Sequence, residues 1–157
     1  MKIRNGFVSN SSSSSFIVIG DTIDPPDLSG KSYIIGDSGD CEFGWDVREY
    51  RGYDTLINFA YLQILCAQLE VDHNRVALRP DEWLDMLIKS IITHTGATDV
   101  SFNLTDDSRN SFMNQGYIDH QSSVCDDRNT EMFEDDDTLA RFLFSNQSFI
   151  QGGNDNT

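Results

Sequence analysis

The chain has 157 residues and a formal net charge of −15, from 26 acidic and 11 basic side chains. That length fits one domain with a core of its own, and ten Phe, five Tyr and two Trp within a 38% hydrophobic composition argue against a disordered chain. The charge is repelled by phosphate backbones and anionic lipid, which disfavours direct nucleic-acid binding and membrane association and favours a protein partner with a basic surface.

In chain order, the serines Ser11, Ser12, Ser13, Ser14 and Ser15 run straight into Phe16-Ile17-Val18-Ile19. That apolar run has the composition of a buried strand, expected over 15–20. A polar tract abutting a core strand is held close to the fold. Pro25-Pro26-Asp27 and Ser29-Gly30 form a loop. A second strand is expected over 32–36, a turn at Gly36-Asp37-Ser38-Gly39-Asp40, and a third strand over 42–45 that forms a hairpin with the second.

The clearest helix covers 54–71, capped by Asp54. Ile57, Ala60, Tyr61, Ile64, Leu65 and Leu69 share one face, and Phe59, Leu62 and Cys66 add a second apolar stripe. Such a helix is buried on more than one side. Pro80 opens a second helix with Asp81 and Glu82 in its first turn. Leu84, Leu87, Ile88, Ile91 and Ile92 make its inner face, His94 lies near its end, and Gly96 stops it.

Strands are expected over 100–104 and 116–120. An acidic loop over 126–137 holds Asp126, Asp127, Glu131, Glu134, Asp135, Asp136 and Asp137 against the single base Arg128. A short helix over 138–144, capped by Asp137, turns Leu139, Phe142 and Leu143 inward. An edge strand over 148–150 precedes the tail Gly152-Gly153-Asn154-Asp155-Asn156. Strands, then two long helices, then strands again indicate an α+β fold. Its expected form is a mostly antiparallel sheet with the two long helices packed on one face and a short C-terminal helix. One domain spans 1–157, with a serine-rich segment at 9–15, and its core includes Ile17, Ile19, Ile64, Leu65, Leu87, Ile91 and Phe142.

Cys41, Cys66 and Cys125 are odd in number and form no Cys-x-x-Cys, which fits a reducing, cytoplasmic compartment rather than a disulfide framework. Cys66 reads as core. Acidic neighbours disfavour a thiolate at Cys41 and Cys125, so neither is a nucleophile candidate. The apolar run at 16–19 is too short for a signal peptide, and no stretch reaches membrane-spanning length.

The acidic segment Glu134-Asp135-Asp136-Asp137 is the leading binding candidate. Closely spaced carboxylates imitate phosphate spacing, whereas the plainer reading is a solvated loop with a capping aspartate. The serine run can cap backbone groups, accept a modification or serve as a polar arm. Tyr117-Ile118-Asp119-His120-Gln121-Ser122 offers His120 and Asp119 as catalytic candidates. On a strand, however, neighbouring side chains point to opposite faces, so a partner such as Asp155 from the tail is required. This yields the expectation that His120 lies in a polar cleft near the tail or the serines. Scattered histidines and cysteines imply no tightly bound transition metal, and no cofactor motif occurs. Gly36-Asp37-Ser38-Gly39-Asp40 is a turn, not a protease nucleophile or an EF-hand.

The opening Gly6-Phe7-Val8-Ser9-Asn10, the serine run and the apolar stretch after it resemble a group of short, mostly uncharacterised phage and bacterial proteins with the same start. That group also carries an Asp-His-Gln-Ser step and a Gly-Asn-Asp-Asn-like end, so the resemblance implies a polar cluster assembled from three distant segments. It implies an address, a processing signal or a modification site at the serines better than catalysis. The leading expectation is a small acidic phage-type accessory protein, not an enzyme, that binds another protein. In sharper form it is a nucleic-acid-mimicking inhibitor of a host enzyme, acting in the host cytoplasm. The alternatives are a virion-associated protein with an N-terminal address or modification segment, and an enzyme or metal-binding protein built around His120.

Overall fold

Consecutive burial along the middle of the sequence sets the architecture. In the computed structural model, which describes residues 2–3, 14–44, 46–72, 78–107, 112–118 and 130–153, every side chain from Thr55 to Ala60 is buried. These residues belong to helix α1, Tyr53–Asp72. Six successive buried positions cover the whole helix circumference, so α1 is enclosed on all sides rather than laid on a surface. Its far end runs out of the core: Leu65 is half-buried and Leu69 is 52% exposed, against the inner-face position expected for Leu69.

Helix α2, Pro80–Thr95, starts at its proline as expected and ends at Gly96 in the left-handed region (φ 78°), whose N–H bonds the Ile92 carbonyl. Helix α3, Asp136–Phe144, follows a 3-10 turn at Glu131–Phe133. α1 contacts both α2 and α3, and α2 contacts α3. Phe59 of α1 meets Phe142 of α3 with ring centroids 6.3 Å apart.

The strands are short. In chain order they are β1 (Lys2–Ile3), β2 (Ser14–Ile19), β3 (Ser32–Ile35), β4 (Glu42–Phe43), β5 (Glu49–Tyr50), β6 (Asp99–Phe102), β7 (Leu104–Thr105), β8 (Asn114–Gln115), β9 (Tyr117–Ile118) and β10 (Phe149–Gly153). The α+β class and the short C-terminal helix are as expected. The sheet is more divided than expected: β1-β2-β10-β5 form a four-stranded sheet with antiparallel pairings, and β3–β6, β4–β9 and β7–β8 are separate parallel pairs. α3 packs against β2, α2 against β6, and α1 against β3, β7 and β9.

The expected hairpin between the second and third strands does not form, because α1 captures the intervening turn. Asn58, fully buried, accepts from the Gly36 amide at 3.0 Å and donates to the carbonyls of Ser38 (2.8 Å) and Asp40 (3.1 Å). Thr55 Oγ1 accepts from the Asp40 amide at 3.0 Å. The backbone groups of the turn are thus bonded to a helix instead of closing a tight hairpin. β3 pairs instead with β6, Tyr33 opposite Val100 and Ile35 opposite Phe102.

The C-terminal strand is also corrected: β10 is interior, between β2 and β5, and runs on through Gly152 and Gly153. The glycines permit this. A Cβ on Gly152 would lie 2.5 Å from the Asp46 carbonyl oxygen, and the Gly152 amide donates to Arg48 O at 2.8 Å. Of the expected core, Ile17, Ile19, Ile64, Leu87, Ile91 and Phe142 are buried, while Leu65 packs at its margin. Phe43 and Tyr50 are core as well, with ring centroids 5.0 Å apart.

Candidate functional site

Two rigid elements carry the acidic face. Asp135 is the N-cap of α3: its backbone is extended (φ −160°, ψ 173°) and its Oδ1 accepts from the Thr138 amide at 2.7 Å. The cap is therefore Asp135, not Asp137 as the sequence indicated, because the helix begins two residues earlier than its apolar pattern. Asp137 instead holds Arg141 one turn on, Oδ2 to Nε 2.9 Å. Glu134, Asp135, Asp136 and Asp137 are all exposed. An aspartate cap and acids in the first turn suit the positive end of the helix dipole, which fixes the local structure whatever else these groups do.

The second element is α2. Glu82, Asp85 and Lys89 recur at i, i+3 and i+7, which places them on one stripe. Lys89 Nζ reaches Asp136 Oδ2 at 3.2 Å, so this stripe borders the first turn of α3. Glu82 and Asp85 are exposed and make no ion pair among the described residues. The segment is anchored from below, where Trp83 stacks on Phe133 at 4.4 Å with planes 5° apart. The two neighbouring elements thus expose Glu82 and Asp85 from α2 and Glu134, Asp136 and Asp137 at the start of α3. Of the nearby cations, Lys89 and Arg141 are each engaged by a carboxylate, and Arg79 is exposed three residues before Glu82. Sequence reading found the α3 half. It took Glu82 only as a first-turn acid and passed over Asp85, because the spacing was legible but the neighbour was not.

Beside this face lies a small cleft of about 110 Å³ lined by Lys89, Ser90, Thr93, His94 and Asp136. Ser90 is 6% exposed, and its hydroxyl has no hydrogen-bond partner among the described residues. A helix-interior serine ordinarily bonds back to the preceding turn, as Thr95 does to the Ile91 carbonyl at 2.6 Å. Ser90 does not. The half-buried His94 ring leans on Phe144, centroids 5.9 Å apart.

The other sequence candidates fall differently. Ser14 and Ser15 begin β2, opposite Gly153 and Gly152 of β10, so the end of the serine run is zipped to the end of the C-terminal strand. Ser11, Ser12 and Ser13 lie outside the described residues, as do Asp119, His120, Cys125 and Asp155. The strand that leads toward His120 is β9, Tyr117 opposite Glu42 and Ile118 opposite Phe43. A broad depression of about 480 Å³ opens there, bordered by Glu42, Cys66, Asp106 and Tyr117. Cys41, half-buried, has its thiol pushed up by burial and then by the Asp40 and Glu42 carboxylates, which disfavours the thiolate. No group of metal-ligating side chains occurs among the described residues, and no described helix is long and apolar enough to cross a membrane.

No protein-family model, no curated protein and no solved structure matches this chain.

Proposed function

We propose that this chain is a small acidic accessory protein that binds a basic surface on another protein. The binding face is the one assembled from α2 and α3. One observation carries the reading: the Lys89–Asp136 contact joins the α2 stripe that carries Glu82 and Asp85 to the segment that carries Glu134, Asp136 and Asp137, so carboxylates distant in sequence lie on neighbouring elements. An array held by a helix cap and by the Trp83–Phe133 stack is preorganised. It therefore meets a cationic partner with little ordering entropy. At −15, long-range attraction adds steering toward basic surfaces and away from nucleic acid. The sharper form is a nucleic-acid mimic that fills the phosphate-binding groove of a host enzyme in the cytoplasm. Carboxylates on a rigid surface, repeated at about a helical turn, supply the charge pattern such a groove recognises.

The experiment is a pull-down from host lysate with wild type and with Glu134→Gln/Asp135→Asn/Asp136→Asn/Asp137→Asn. Asparagine caps helices as aspartate does, so the fold persists. The reading expects a nucleic-acid-binding protein to be captured by wild type and lost with the variant. Capture of the same partner by both contradicts it.

A second reading is favoured by one register. Ser14 and Ser15 pair with Gly153 and Gly152, which ties the serine segment to the folded body. A virion-associated protein bearing an address or modification at those serines fits that tie. Intact-mass measurement with peptide mapping of native material decides: a mass shift localised to Ser11–Ser15 supports it, and an unmodified chain absent from virions rejects it.

A further inference from the structure

We propose that the cleft between α2 and the first turn of α3 is an arginine pocket. It takes the guanidinium of a side chain inserted by the basic partner. The inference rests on the binding face proposed above and names the group that face selects.

Four features converge on a guanidinium. Ser90, 6% exposed, lines a cleft of about 110 Å³ and carries a buried hydroxyl without a hydrogen-bond partner among the described residues. A buried hydroxyl left unpaired is unfavourable, and a donor entering the cleft removes that penalty. Asp136 sits at the mouth. Its Oδ2 takes Lys89 at 3.2 Å, while Oδ1 has no hydrogen bond among the described residues. The Lys89–Asp136 pair is exposed, 69% and 62%, and such pairs are weak and exchange readily, so Lys89 can swing aside. Thr93 adds a second hydroxyl, and the His94 imidazole on Phe144 forms a flat wall.

A planar cation with several divergent N–H groups can bond the Asp136 carboxylate and the Ser90 oxygen at once while its face rests on the ring. An ammonium also carries three donors, but it is a compact charge with no planar face to lie on the ring, and its contact with the carboxylate duplicates that of Lys89. The surrounding charge, Glu82, Asp85, Glu134 and Asp137 against Lys89 and Arg141, rules out an anion as the preferred occupant.

The test compares a short oligoarginine peptide with an oligolysine peptide of equal length. Binding of each is measured by fluorescence anisotropy to wild type, Ser90→Ala and Thr93→Leu. The first variant deletes an unpaired hydroxyl. The second fills the cleft from an exposed position and leaves the core untouched. Wild type is expected to prefer oligoarginine, and each variant to lower oligoarginine affinity by about tenfold, the scale of a lost charged hydrogen bond, with oligolysine binding unchanged. Equal binding of the two peptides to wild type, or oligoarginine binding untouched by both variants, overturns the pocket and leaves the acidic face standing. No binding of either peptide to wild type overturns the pocket and the face together.

Discussion

Trp83 and Phe133 lie parallel, ring centroids 4.4 Å apart and planes 5° apart, and this stack fastens the acidic segment to α2. Phe133 is 6% exposed and Met132 beside it is fully buried, so the short 3-10 turn that carries both works as an apolar plug under exposed carboxylates. Phe133→Ala is expected to cost about 3–5 kcal/mol by loss of packed aromatic volume. Urea denaturation monitored by tryptophan fluorescence measures it. A loss well under 1 kcal/mol on the same bookkeeping would show that the acidic segment is not anchored in this way.

Capping separates two aspartates that look alike in sequence. Asp135 accepts from the Thr138 amide at 2.7 Å, whereas Asp137 only pairs with Arg141 on the surface. Asp135→Ala is expected to destabilise by about 1 kcal/mol, Asp135→Asn by only a few tenths (~0.3), and Asp137→Ala by no more than about 0.5 kcal/mol. Thermal denaturation of the three variants ranks them. Asp137→Ala as the most damaging would place the cap where the sequence pattern put it.

These two cases show what was legible. The helices announced themselves through apolar spacing, Pro80 and Gly96, because such signals are local. Pairing was not local. β3 joins β6 across a connection that contains both long helices, and nothing between Gly36 and Asp40 says that Asn58 will claim the turn. β10 looked like a tail because glycines weaken a strand. Gly152 is there because the Asp46 carbonyl would meet a side chain, a constraint set more than a hundred residues away in sequence. The α3 half of the binding face could be read as a run of acids. The α2 half and Ser90 emerged only when two helices came side by side.

Asn58 provides a direct check on that turn. Its amide bonds Gly36, Ser38 and Asp40, and no solvent reaches it. Asn58→Ala strands a buried amide and two carbonyls, with an expected loss of about 1–3 kcal/mol or somewhat more if the vacancies add. Hydrogen exchange should show faster exchange at the Gly36 amide, which donates to Asn58, than in wild type. Unchanged protection at that amide contradicts the assignment.

Alkaline pH is expected to weaken the fold. Burial raises Cys41 above its ordinary value of 9.0. Burial likewise raises Tyr33, Tyr50, Tyr53 and Tyr61 above 10.0, with the Asp54 hydrogen bond adding to Tyr33. A group raised in the folded state holds its proton when the unfolded chain has released it. Its contribution is fully present below 9.0 for the thiol and 10.0 for the phenols, and declines as pH climbs toward the folded values. Denaturation midpoints at neutral pH and above 10 test the sign, and a midpoint that rises with pH in that window refutes it.

The most direct test of the acidic face is the salt dependence of its binding to a basic peptide. Oligolysine is titrated at increasing salt into wild type, into Glu134→Gln/Asp136→Asn/Asp137→Asn, and into the control Asp21→Asn/Asp24→Asn/Asp27→Asn, which changes net charge equally. Wild type and the control should bind with the same steep loss of affinity as salt rises, and the face variant should bind weakly with a shallow dependence. Identical curves for the face variant and the control would mean that only total charge matters, and would contradict a defined binding face.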